Sequence, residues 1–203
     1  MSFQNQAKKT ETSQPVTGHS APETVVPPRG ALITTTAARL TAVLRIAIGL
    51  VFLWAFLDKT FGFGYTTPPA RAWIHGGSPT AGFLRKVDVG PLAGAMRSWA
   101  GAPWADWLFM IGMAGVGVAL LLGIGLRIAA VAGSAMMMLM WIAEWPPAKA
   151  TATGQATGSS NPIIDYHVIY ALVLITLAAL YAGNTWGLGR WWSRLIGKNR
   201  WLV

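Results

Sequence analysis

The sequence predicts an all-α, polytopic membrane protein: a four-transmembrane-helix bundle with a long outer loop between helices 1 and 2. Three observations carry that prediction. The chain of 203 residues is 53% hydrophobic and only 11% charged, whereas an ordinary soluble domain carries roughly 25% charged residues. Its mean hydropathy is +0.45. Its apolar residues also gather into runs of about twenty, long enough to cross a hydrocarbon core of roughly 30 Å.

Residues 1–30 are polar, contain Pro15, Pro22, Pro27 and Pro28, and show no apolar periodicity. They read as a disordered tail. With no early apolar stretch and no cleavage site after one, they do not read as a signal peptide. The membrane domain is expected over 31–195, followed by a basic tail over 196–203.

The first span, about 38–57, carries Arg45 roughly two turns from its start. The long stem of that arginine can snorkel to the near headgroups; a buried ion pair or an anionic partner is the alternative. Arg45, Gly49, Phe52, Phe56 and Lys59 recur at three- and four-residue spacing, so they share one helix face. The connection over about 58–103 includes the turn Gly76-Gly77-Ser78-Pro79. Its part from Gly82 to Ala100 is too interrupted to span and is expected to lie along the interface or dip into the bundle.

The second span, about 104–124, opens with Trp104 and Trp107, where an interfacial aromatic belt belongs. Its Gly115 and Ala119 form a small-xxx-small pair for close helix approach. The third span, about 126–145, begins at Arg127 and leaves through Trp141, Glu144 and Trp145 before Pro146 and Pro147 stop it. Its run of methionines reads as adaptable packing, or as a surface toward lipid tails or a quinone. The fourth span, about 163–182, follows Asn161 as N-cap and Pro162 as first helical residue. Arg190, Arg194, Lys198 and Arg200 then alternate with tryptophans, the pattern of an interfacial anchor.

Net charge is +9. The basic residues sit beside apolar runs and form no recognition helix, so anionic lipid headgroups of the bilayer are the expected partner and nucleic acid is not. There is no cysteine, which removes disulfides, thiolate ligands and iron–sulfur ligation from this chain. With three histidines, one of them His19 in the polar tail, neither a metal nor a haem is expected. Four spans place both termini on one side, and the weight of Arg127, Arg190, Arg194 and Lys198 there makes that side cytoplasmic. The expected location is the cell membrane.

Asp58 closes the first span, Asp106 opens the second, Glu144 closes the third and Asp165 opens the fourth. All four therefore converge on the outer side, with His167 one turn inside. A helix dipole favours Asp106 and Asp165 but disfavours Asp58 and Glu144, which need partners; Lys59, Arg71 and His167 are the candidates. The reading is either a functional polar cluster or ordinary helix-end polar residues. His167 and Tyr170 are three apart and share a face, so together they can hydrogen-bond a quinone carbonyl and exchange its protons. A packed, satisfied histidine is the alternative.

The stretches WAFLDKTFGFG, AWIHGGSPTAGFL, DWLFMIGMAGVGVALLLGIGLRIAAVAG, WIAEWPP and NPIIDYHVIYALVL resemble the DoxX/DoxD membrane-protein family. They are most similar to the large DoxD subunit of thiosulfate:quinone oxidoreductase. The resemblance covers about 38–195. It implies a four-helix bundle, oxidation of a small sulfur compound at the outer face, and electron transfer to membrane quinone as acceptor.

On this reading Asp58, Glu144, Asp165 and His167 are catalytic. Lys59, Arg71 and His75, with the backbone N–H groups of Gly76 and Gly77, bind the oxyanion, aided by Arg85 and Lys86. Trp54, Trp145 and Tyr170 contact the quinone. A small DoxA-like subunit or another redox partner is expected, as is homo-oligomerisation. The alternative function is a non-catalytic membrane subunit that docks or assembles a redox complex.

Overall fold

A computed structural model describes residues 34–202. The tail expected to be disordered, with Lys8, Lys9 and Arg29, lies outside the described residues. Helix α1 spans Thr35–Phe61; the Thr34 hydroxyl caps it by accepting the Ala37 N–H at 3.1 Å. It stops at Gly62, whose φ of 71° lets its N–H return to the Asp58 carbonyl. A loop with two single turns, Pro69–Arg71 and Trp73–His75, leads to the short helices α2 (Ala81–Leu84) and α3 (Ala93–Trp99). Helices α4 (Pro103–Leu122) and α5 (Leu126–Glu144) form an antiparallel pair, followed by α6 (Tyr166–Ala179) and α7 (Gly189–Leu195). The described residues contain no strand, only an isolated bridge between Ala150 and Ala156.

Three helices, α1, α4 and α5, are long and apolar enough to cross a membrane. Helix α6 is apolar but has 14 residues, shorter than the expected span over 163–182. Its start is set by Asp165, whose side chain accepts the N–H groups of His167 and Val168. The expected N-cap, Asn161, instead accepts from Ile163 and Ile164 at 2.9 and 3.0 Å, closing a turn before the helix.

Helix α1 packs on α4 and α5 on α6. Ile48, Phe52, Val116, Leu120, Leu174 and Leu177 form the shared core. The close approach between α1 and α4 uses glycines other than the expected pair. Gly115 faces open space, whereas a Cβ on Gly117 would lie 2.8 Å from the Leu53 nitrogen. A Cβ on Gly49 would lie 3.1 Å from the side chains of Leu120 and Leu121. Apolar side chains such as Leu40, Leu50, Ile111 and Val131 point outward and are exposed, a surface suited to lipid.

Arg45 does not snorkel. It is fully buried, and its guanidinium donates to the carbonyls of Leu120 and Leu121 in the last turn of α4 and to those of Thr185 and Trp186 beyond α6. A helix C-terminus leaves carbonyls without intrahelical donors, and a cation there is favoured. Arg45 is held by those carbonyls, and among the described residues it makes no ion pair.

The intermittent segment after α2 also finds a place. Val87, Ala93 and Met96 bury themselves against Ala143 near the end of α5, forming a second small core. It therefore packs onto the bundle end where α1 stops and α4 starts.

Candidate functional site

Two of the four boundary acids serve the long loop. Asp58 is 1% exposed. One of its oxygens accepts the Thr66 N–H at 2.9 Å, the Thr66 hydroxyl at 2.7 Å and the Thr67 N–H at 3.0 Å; the other accepts the Tyr65 N–H at 3.3 Å. The partners of this carboxylate are loop donors, not the cations expected at a helix C-terminus. Asp106 repeats the arrangement from α4. One oxygen accepts the Ser78 hydroxyl at 2.9 Å, the Thr80 N–H at 3.0 Å and the Thr80 hydroxyl at 2.6 Å. Both ends of the loop are thus tied down by buried carboxylates.

The expected oxyanion site takes a different shape. The Gly76 and Gly77 N–H groups are spent within the turn, on the carbonyls of Trp73 and Ala72. Arg71 and His75 are exposed, and the His75 Nδ1 lies 2.9 Å from the Pro69 carbonyl. Among the described residues neither makes an ion pair with any of the four acids, so the loop does not deliver them to the acid ring.

The other two acids come together. Glu144 ends α5 and Asp165 caps α6, and the loop after Pro146 and Pro147 folds back to join them. A ligand atom from each of Glu144, Asp165 and His167 lies within 4.8 Å of the other two. Asp165 Oδ2 is 2.8 Å from His167 Nδ1, while its Oδ1 accepts the His167 N–H at 3.0 Å. The Tyr166 hydroxyl donates to Glu144 at 2.9 Å. His167 is fully buried, and its Nε2 has no hydrogen-bond partner. Glu144, Asp165 and Tyr166 open onto a polar cavity of about 570 Å³ whose other walls include Lys86, Asp88, Ser159 and Asn161.

A second cavity, about 420 Å³, lies between α4 and α5 and is almost wholly apolar. Trp99, Trp104, Phe109, Met136 and Met140 line it, with Lys59 and Thr80 as its polar members. Met137 is buried in the core instead, so the methionine run divides between packing and cavity wall. None of Trp54, Trp145 and Tyr170 lines this cavity. Trp54 is exposed and stacks on Phe63. Trp145 ends α5 at φ 41°, edge-on to Trp141. Tyr170 packs on the core beside Tyr166. The expected quinone contacts therefore scatter, and the aromatic cavity is built from Trp99 and Trp104.

Thr66, Thr67, Ser78 and Thr80 were not expected as carboxylate partners. The signal was present: each buried acid is matched to a hydroxyl-rich turn at one end of the loop. No protein-family profile, curated protein or solved structure matches this chain.

Proposed function

We propose that this chain is the membrane subunit of a quinone-linked oxidoreductase acting on a small sulfur oxyanion, with the quinone seated in the cavity between α4 and α5. That cavity is the observation that carries the reading. Its volume, about 420 Å³, falls within the range of small-molecule sites, which are apolar with a few placed polar groups. A quinone pairs a flat apolar ring with carbonyl acceptors. Trp99 and Trp104 offer aromatic faces, and Lys59 offers a donor at the polar end of the same cavity, beside Thr80, whose own N–H and hydroxyl are given to Asp106. In this reading Lys59 belongs to the quinone head rather than to the oxyanion.

The reading takes α6 and the turn after it as a fourth span, with both termini on the cytoplasmic side of the cell membrane. It is supported by the apolar character of α6 and by the basic residues of the α4–α5 turn and the tail. Reduction of the quinone takes two electrons and two protons. The electrons come from the sulfur donor, and a partner subunit is the expected relay.

Titrating a short-tailed quinone into detergent-purified protein tests the seat. Saturable quenching of tryptophan fluorescence is expected, together with thiosulfate-dependent quinone reduction once co-expressed neighbours are present. Absence of saturable binding overturns the reading. The exposed aromatic group of Trp54, Phe61, Phe63 and Tyr65 favours a second reading, a non-catalytic subunit that docks a redox complex. Capture of a partner together with failure to bind quinone is its signature.

A further inference from the structure

We infer that Glu144, Asp165 and His167 form a binding site for a divalent first-row transition-metal cation at the junction of α5 and α6. The three residues come from two helix ends and bring one imidazole and two carboxylates to within 4.8 Å of one another. Among the described residues no other His, Asp or Glu trio is gathered so closely.

The charge balance asks for a cation. Two carboxylates at this separation repel each other unless a positive charge sits between them. Among the described residues no Lys or Arg lies within ion-pair distance of either; the sole such contact is His167 to Asp165. Lys86 lines the adjoining cavity without pairing to them.

His167 is the third ligand, held within reach of both carboxylates. It is 0% exposed, and its Nε2 has no partner. Its other nitrogen, Nδ1, faces Asp165 Oδ2 at 2.8 Å, the separation of two neighbouring ligands on one ion, so a cation takes the place of the proton that these two atoms share, and Nε2 carries the N–H of the ring. Glu144 is ready as a ligand: Tyr166 occupies only one of its oxygens. The polar cavity of about 570 Å³ over Glu144 and Asp165 gives a hydrated ion a way in and room for water on its open positions. One imidazole with two carboxylates suits Mn²⁺, Fe²⁺, Co²⁺ or Zn²⁺ better than the all-oxygen preferences of Ca²⁺ and Mg²⁺.

The site is independent of the quinone seat, since none of its three residues lines the apolar cavity. The test uses untagged full-length protein in detergent, stripped with chelator and titrated with Co²⁺. One equivalent should bind, with a visible absorption band of a nitrogen-ligated ion, and Zn²⁺ should displace it. Mn²⁺ should bind at the same stoichiometry by electron paramagnetic resonance. Glu144→Gln keeps an acceptor for Tyr166 at an exposed position, so its fold is not at stake, and it should weaken Co²⁺ binding at least ten-fold. His167→Gln should abolish the nitrogen-ligated band. His75→Gln should change neither. Absence of stoichiometric binding, unchanged affinity in Glu144→Gln, or loss of the band in His75→Gln each overturns the site.

Discussion

Thr80 gives both its backbone N–H and its hydroxyl to a single oxygen of Asp106, at 3.0 and 2.6 Å. The pair fastens the end of the long loop to the first turn of α4. Asp106 and Thr80 are both buried, so removing the acceptor strands two donors away from water. Asp106→Ala should destabilise the protein by about 2–3 kcal/mol, and Thr80→Val, which deletes one donor and keeps its shape, by about 1 kcal/mol. Thermal unfolding in detergent checks this. An Asp106→Ala protein that melts with wild type removes the anchoring role.

Arg45 gives a sharper contrast. Its guanidinium meets four carbonyls from two separate segments. Arg45→Met keeps the apolar stem but leaves those carbonyls with fewer donors, at a cost of about 3 kcal/mol. Arg45→Lys should recover only part of this, because an ammonium lacks the planar fork that spans two segments. The readout is the unfolding midpoint, together with proteolysis of the chain after Leu180. A headgroup-facing arginine would tolerate both substitutions.

The helical plan was legible in the sequence because hydropathy and length are local. The ends of α4 and α5 follow from apolar runs stopped at Gly123 and the Pro146-Pro147 pair, whereas α1 continues past its expected end at 57 as far as Phe61, where Gly62 stops it. The convergence of acids at one end of the bundle was legible too, since antiparallel helices alternate direction. Pairing was not. Asp58 and Glu144 both sit at helix C-termini, yet one is satisfied by loop N–H groups and the other by a tyrosine hydroxyl and its place beside Asp165. Those partners are set by how each loop returns, which periodicity does not encode. Arg45 misled for a related reason: its depth in the span was readable, but the carbonyls of α4 that receive it lie some 75 residues away in sequence.

The glycine pair of the GGSPT motif separates backbone geometry from ligand binding. A Cβ on Gly77 would collide with the Arg71 carbonyl, whereas one on Gly76 meets nothing, though its φ is +81°. Gly76→Ala should cost about 1–2 kcal/mol from the left-handed backbone alone. Gly77→Ala should cost more, because the backbone it strikes cannot move aside without opening the turn. Comparing the two midpoints checks the order. Equal, small effects with loss of oxyanion binding would restore the anion-site reading of these residues.

The apolar cavity has a wall and a polar head that separate substitutions can address. Ala135 lines it from α5 and is exposed, so Ala135→Phe fills space without disturbing the core. That variant should keep the wild-type melting profile and lose quinone quenching at least ten-fold, since a ring cannot share the volume that the new side chain takes. Lys59→Met leaves the wall and removes the donor. A hydrogen bond from a charged group contributes about 1.5–3 kcal/mol, so binding should weaken by roughly ten-fold or more, while an alkyl analogue lacking carbonyls should bind as to wild type. The two variants therefore fail differently: Ala135→Phe rejects both ligands, and Lys59→Met rejects only the one with a carbonyl. If both variants bind the quinone as wild type does, the ligand sits elsewhere.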